Sequence, residues 1–214
     1  VIVVAPAFRG ETANLDDTFV TSDSARQSPW DRDVDDAIAM LSASMVNITN
    51  ADPSRVAAVG YSRGAGVVLL AALRDKRIQA VAEIAGPTDF FAPSLQNVAL
   101  GLAAGKSYNL PGLDFLESRY LQPFTNGTIS ADSLRRVLLR RSAARLAISG
   151  MLPPTLAIHG DLDTTVYPDQ SEALDAADPK VRYTIVTSMT HSSFVSQILV
   201  DGNYMQAKAI SSSL

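Results

Sequence analysis

The chain contains no cysteine, which removes disulfides, thiolate metal sites and a cysteine nucleophile at once. Histidine is nearly as scarce, with two in 214 residues, so an imidazole-rich metal cluster is excluded as well. Positive charge is not in excess. Eighteen Lys and Arg stand against 22 Asp and Glu, for a net charge of −4 and a pI near 5.1. Such a surface has no electrostatic footprint for nucleic acid. No apolar run approaches the roughly 20 residues that a membrane span needs. What is present is 47% hydrophobic residues, 19% charged residues and a mean hydropathy of +0.11. That composition and length suit one folded domain with a sizeable core and room for an inserted subdomain.

Apolar runs at 1–6 and 56–59 read as buried strands, and 78–85, 155–159 and 182–187 as three further strands. Helical spacing of Val34, Ala37, Ile38, Leu41 and Met45 predicts an amphipathic helix over 29–46, with Ser28 as its N-cap. Helices are also expected at 64–73, which is apolar all round, at 168–176 and at 194–208. Residues 9–27 read as a polar connection, and Asp52-Pro53-Ser54-Arg55 as a turn. Strands alternating with helices imply parallel βαβ units, hence an α/β sheet covered on both faces. Residues 90–152 break the rhythm with several short helical patterns. The expected organisation is a core of 1–89 and 153–214 with 90–152 inserted as a helical cap. The arginines of 130–145 read as a solvated or ion-paired helix face.

The chemically informative segment is Gly60-Tyr61-Ser62-Arg63-Gly64, a G-x-S-x-G placed directly between an apolar strand and an apolar helix. That is the context of a nucleophile elbow, in which flanking glycines relieve a tight turn and the serine hydroxyl stands above the sheet edge. The following helix aims the backbone N–H of Arg63 at the same point, as an oxyanion donor. Serine needs a base, and the base needs a carboxylate to orient it. His191, in a polar loop after the last strand, is the favoured base. His159, inside an apolar run, reads as a structural histidine bonding a neighbouring loop. For the acid, Asp163 is favoured over Asp161, and Asp161 over Asp89; the losing aspartates would be turn or cap residues. Trp30 reads as a packing anchor.

The order Gly60–Gly64, His159-Gly160-x-x-Asp163 and His191 resembles that of the α/β-hydrolases. More narrowly it is similar to the prolyl oligopeptidase-like serine hydrolases and their related carboxylesterases. Trp30-Asp31-Arg32-Asp33-Val34-Asp35-Asp36 resembles their aspartate-rich helix start, and Gly86-Pro87-Thr88-Asp89-Phe90 their segment before an inserted cap. The resemblance implies a mostly parallel sheet covered by helices, and hydrolysis of a small ester or short peptide through an acyl-enzyme on Ser62. It implies no metal and no organic cofactor. It also implies strands ahead of Val1, so the N-terminal part of the fold is expected outside this chain, on a missing N-terminal segment or a separate chain. The second oxyanion donor is expected from that same piece. Three readings stay open: carboxylesterase, serine peptidase, and a non-catalytic binding protein on the same fold.

Overall fold

A computed structural model describes residues 1–15, 18–22, 27–108, 110, 112–148 and 150–193. A hairpin comes first, β1 (Thr12–Leu15) against β2 (Thr18–Thr21), followed by α1 (Arg32–Asn47), β3 (Val56–Tyr61), α2 (Arg63–Arg74) and β4 (Ile78–Ile84). Between β4 and β5 the chain runs through α3 (Pro93–Ala103), α4 (Leu113–Leu116), a π-helical turn (Glu117–Leu121), α5 (Gln122–Thr125), α6 (Ala131–Arg141) and α7 (Ala143–Leu146). It closes with β5 (Thr155–Gly160), α8 (Asp169–Ala177) and β6 (Val181–Val186).

Strands β3, β4, β5 and β6 lie side by side in that order, and every pairing is parallel. Each strand therefore delivers its C-terminal end to the same edge, where open α/β sheets place their sites. Helices α1, α2, α7 and α8 adjoin one another in turn as a layer over one face. The main core lies beneath them: Leu69, Ala71 and Ala72 of α2, Leu174 of α8, and Val81, Ala157 and Val181 of the strands. A smaller cluster of Ile84, Leu156, Ile158 and Met189 occupies the other face. The all-round apolar character of α2 follows from this burial, because its neighbours are β3 and β4 below and α1 and α7 beside it.

Four expectations need correction. Residues 56–59 form a strand but not a buried one: β3 is the edge of the four-stranded sheet among the described residues, and Ala57 and Val59 are exposed. Residues 1–6 form no strand: Val1, Ile2, Val3 and Val4 are exposed and carry no regular structure. A β-branched run is only compatible with a strand, since a strand is made by its ladder, and among the described residues nothing pairs with this one. The polar stretch 9–27 is not a plain connection, because it contains the β1–β2 hairpin. Helix α1 begins at Arg32 rather than at 29, and Asp31 rather than Ser28 precedes it. Trp30 takes a left-handed φ of 54°, which turns its ring inward and delays the helix. The ring is buried, stacks edge-on to Phe90 at 5.1 Å, and its Nε1–H donates to the Arg63 carbonyl. The helix expected over 194–208 lies outside the described residues.

Candidate active site

The turn from β3 into α2 builds the site from the backbone outward. Ser62 has φ 53° and ψ −123°, a strained conformation for a residue with a Cβ, and it immediately precedes α2. Its N–H donates to the Ile84 carbonyl on β4 at 2.8 Å, which ties the elbow to the neighbouring strand. A Cβ on Gly60 would stand 2.3 Å from the Gly64 carbonyl oxygen, so only glycine fits there. Gly64 is different, since a Cβ at that position would meet nothing within 4 Å. The tightness of the turn thus rests on the first glycine of the motif, not on both. Arg63 is the first residue of α2, where a backbone N–H has no intrahelical acceptor.

Three side chains from three separate segments meet over this elbow. Ser62 Oγ lies 2.9 Å from Nε2 of His191, and Nδ1 of His191 lies 2.7 Å from Oδ2 of Asp163. The carboxylate accepts, so Nδ1 donates, and a neutral imidazole then presents its Nε2 lone pair to the serine hydroxyl. Asp163 is buried; its Oδ1 accepts the N–H groups of Thr165 and Val166, both at 2.9 Å. Burial alone would push its carboxyl up. Hydrogen bonds from His159, His191 and Val166 outweigh it and hold Asp163 well below the usual carboxylate range.

The other candidates fall elsewhere. Asp161 is exposed at the turn after β5. Asp89 is buried, accepts the Phe91 N–H and pairs with Arg145 Nε at 2.9 Å, away from His191. His159 is fully buried, with Nε2 donating to the Val166 carbonyl at 2.8 Å and Nδ1 2.7 Å from Ser171 Oγ.

Two contributors were not legible as such. Tyr61, the variable residue before Ser62, donates its hydroxyl to the His191 carbonyl at 2.7 Å and places its ring 5.0 Å from the imidazole. Gly160 matters through proximity, since a Cβ there would lie 2.2 Å from the Met189 carbonyl oxygen, on the loop that carries His191. The His159-Gly160 pair was a visible signal, but only the fold shows which loop the glycine admits.

An apolar cavity of about 60 Å³ opens beside Ser62, walled by Trp30, Phe90, Val98, Leu113, Leu116 and Val166. Through Ser94, Val98, Leu110, Thr165 and Tyr167 it continues into a wetter one of about 560 Å³, whose wall includes Asp169 and Glu172.

No protein-family model matches the chain, and no curated protein sequence does either. Solved structures do. EstE1, a thermophilic and thermostable carboxylesterase cloned from a metagenomic library, aligns over 92% of this chain and 68% of its own, with a TM-score of 0.62 and 18% identity. A meta-cleavage product hydrolase from Pseudomonas fluorescens aligns over 88% and 73%, with a TM-score of 0.53 and 17% identity. The chain has the α/β-hydrolase fold. At 28% identity and a TM-score of 0.52, the chain is also similar to a puromycin-hydrolysing peptidase of Mycobacterium tuberculosis. That match covers 74% of the present chain but spans only 22% of the peptidase.

Proposed function

We propose that the protein is a serine hydrolase that cleaves small carboxylic esters through an acyl-enzyme on Ser62. The observation that carries this reading is the unbroken chain from Ser62 Oγ through His191 to Asp163, set on a strained elbow beside an apolar cavity. In the first half-reaction His191 takes the hydroxyl proton as Ser62 attacks the carbonyl carbon, and the Arg63 N–H holds the oxyanion. Asp163 fixes the imidazole tautomer and stabilises its cation. His191 then returns the proton to the leaving alcohol, and water repeats the sequence to free the acid.

The acyl group goes into the apolar cavity. At about 10–15 Å³ per water-sized group, about 60 Å³ holds a chain of a few carbons. Residues 90–152 serve as a cap over it, supplying Phe90, Val98, Leu113 and Leu116 to its walls.

A second reading, a prolyl oligopeptidase-like serine peptidase, has its own support. The similarity to the puromycin-hydrolysing peptidase favours it, as do Asp169 and Glu172 on the outer wall, which suit a cationic substrate group. Intact mass after fluorophosphonate treatment tests the shared chemistry. An adduct on the wild type that is lost in Ser62→Ala supports it, and a folded wild type without adduct overturns it. Relative turnover of a short-chain aryl ester and a dipeptide anilide then separates the two readings.

A further inference from the structure

Beneath the site runs a second polar chain that the proposed mechanism does not use. Glu83 on β4, Ser171 on α8 and His159 on β5 are all fully buried, on the helix-covered face of the sheet. Glu83 Oε2 accepts the Gly86 N–H at 3.0 Å, and Oε1 accepts the Ser171 hydroxyl at 2.5 Å. Ser171 Oγ lies 2.7 Å from Nδ1 of His159. On the far side of the ring, Nε2 lies 2.8 Å from the Val166 carbonyl and 3.5 Å from Oδ2 of Asp163.

Counting protons narrows the possibilities. The Val166 carbonyl only accepts, so Nε2 carries a hydrogen. Ser171 has a single hydroxyl hydrogen, and the 2.5 Å separation is that of an O–H donating to a carboxylate. With that hydrogen committed to Glu83, Nδ1 must donate to the serine oxygen, and the ring carries both protons. We propose that Glu83, Ser171 and His159 form a buried relay that keeps His159 an imidazolium and, through it, positions Asp163. The alternative arrangement moves the same proton two bonds along, leaving a neutral carboxylic acid at Glu83 and a neutral ring at His159.

The surroundings favour the charged form. His159 then lies between two carboxylates, Glu83 through the serine and Asp163 directly. Burial works against the cation, but Asp163, Val166 and Glu83 outweigh it and raise the proton affinity of His159 above the ordinary imidazole value. Burial pushes Glu83 up to about 7, against the hydrogen bond from Ser171 and the nearby His159. Tyr183 on β6, pushed up to about 12 by burial and by Glu172, Glu83 and Asp175, stays neutral and supplies no charge. The imidazolium thus presses on the same oxygen of Asp163 that receives His191. The positioning half of this proposal rests on the catalytic reading of Asp163 and His191 given above.

With two histidines in the chain, ¹⁵N-histidine NMR reads both rings directly. From about pH 5 to about pH 9, the range in which imidazoles titrate, His159 is expected to keep two protonated nitrogens above its ordinary value. Glu83→Gln, or Ser171→Ala should that variant not fold, is expected to weaken its proton affinity at least tenfold. The downfield proton of the His191–Asp163 hydrogen bond should move in the same variant, and kcat for an aryl ester should fall about tenfold with KM unchanged. An unprotonated Nδ1 on wild-type His159 already below pH 6.5 overturns the charged relay. An unmoved His191–Asp163 proton in a folded variant overturns the positioning role. Failure of fluorophosphonate labelling strikes the catalytic reading alone, since the His159 spectrum is independent of it.

Discussion

The ends of β5 and β6 each deliver one histidine to Oδ2 of Asp163, His159 at 3.5 Å and His191 at 2.7 Å, in opposite kinds of surroundings. His159 is enclosed, with one ring nitrogen held by Ser171 and the other by the Val166 carbonyl. His191 stands on a loop with 15% of its side chain exposed, and beyond Asp163 its second nitrogen faces a hydroxyl at the mouth of a cavity. A ring with both nitrogens committed to the scaffold serves position. A ring with one nitrogen turned toward the strained Ser62 suits the chemistry proposed for it. The residue type is the same, and the partners make the difference.

The largest effect that would break this comparison is at Ser62 and His191, the proposed nucleophile and base. Ser62→Ala and His191→Ala are each expected to lower kcat on a short-chain aryl ester by about 10⁶-fold with the fold intact. If His159→Gln cost as much while circular dichroism stayed native, the two histidines would exchange roles. Next comes the shared carboxylate. Asp163→Asn is expected to cost about 10⁴-fold in kcat by disturbing the His191 tautomer, whereas Asp161→Asn should stay within about twofold.

Stability against pH sharpens the contrast further. His159 binds its proton more tightly folded than unfolded, so its contribution is complete below about pH 6.5 and is lost as pH rises through the higher folded value. Asp163 acts in the opposite sense. Its carboxyl is depressed, so its contribution is complete above about pH 3.8 and is lost as pH falls below that. Melting temperatures across pH should therefore decline on both sides, and His159→Gln should flatten the alkaline side and, because His159 helps hold Asp163 down, part of the acid side too. The smallest test concerns the turn itself. Gly60→Ala should destabilise by about 1–3 kcal/mol through overpacking against the Gly64 carbonyl. Gly64→Ala, with open space and a helical position, should leave denaturant midpoints nearly unchanged or raise them slightly.

Much of this was legible wherever the signal was local. The strands β3 to β6, helix α2, and the elbow with Ser62 all followed from apolar runs and a five-residue motif whose physics is contained in the turn. The Asp52 turn also formed as read, with Ser54 N–H donating to its side chain. Residues 1–6 were misread because apolar, β-branched composition states what a strand tolerates and says nothing of which ladder it joins. The hairpin in 9–27 was missed for the converse reason, since its pairing lies among polar residues such as Thr12 and Thr21, whose hydroxyls meet at 3.0 Å. The late start of α1 was invisible too, because it depends on where the Trp30 ring finds space beside Gly66 and Phe90.

What the sequence by itself determined is the inventory: one G-x-S-x-G motif, two histidines, a short set of carboxylates and an alternating α/β order. Tertiary structure decided the assignments. Ser62 and His191 are 129 residues apart, and Asp163 and His191 are 28 apart, so only the parallel sheet, which carries every strand end to one edge, brings them together. Within that edge, a displacement of two residues along the loop after β5 separates exposed Asp161 from buried Asp163. Burial and hydrogen-bond partners belong to the assembled fold, and they are what make one carboxylate part of the site and leave the other in solvent.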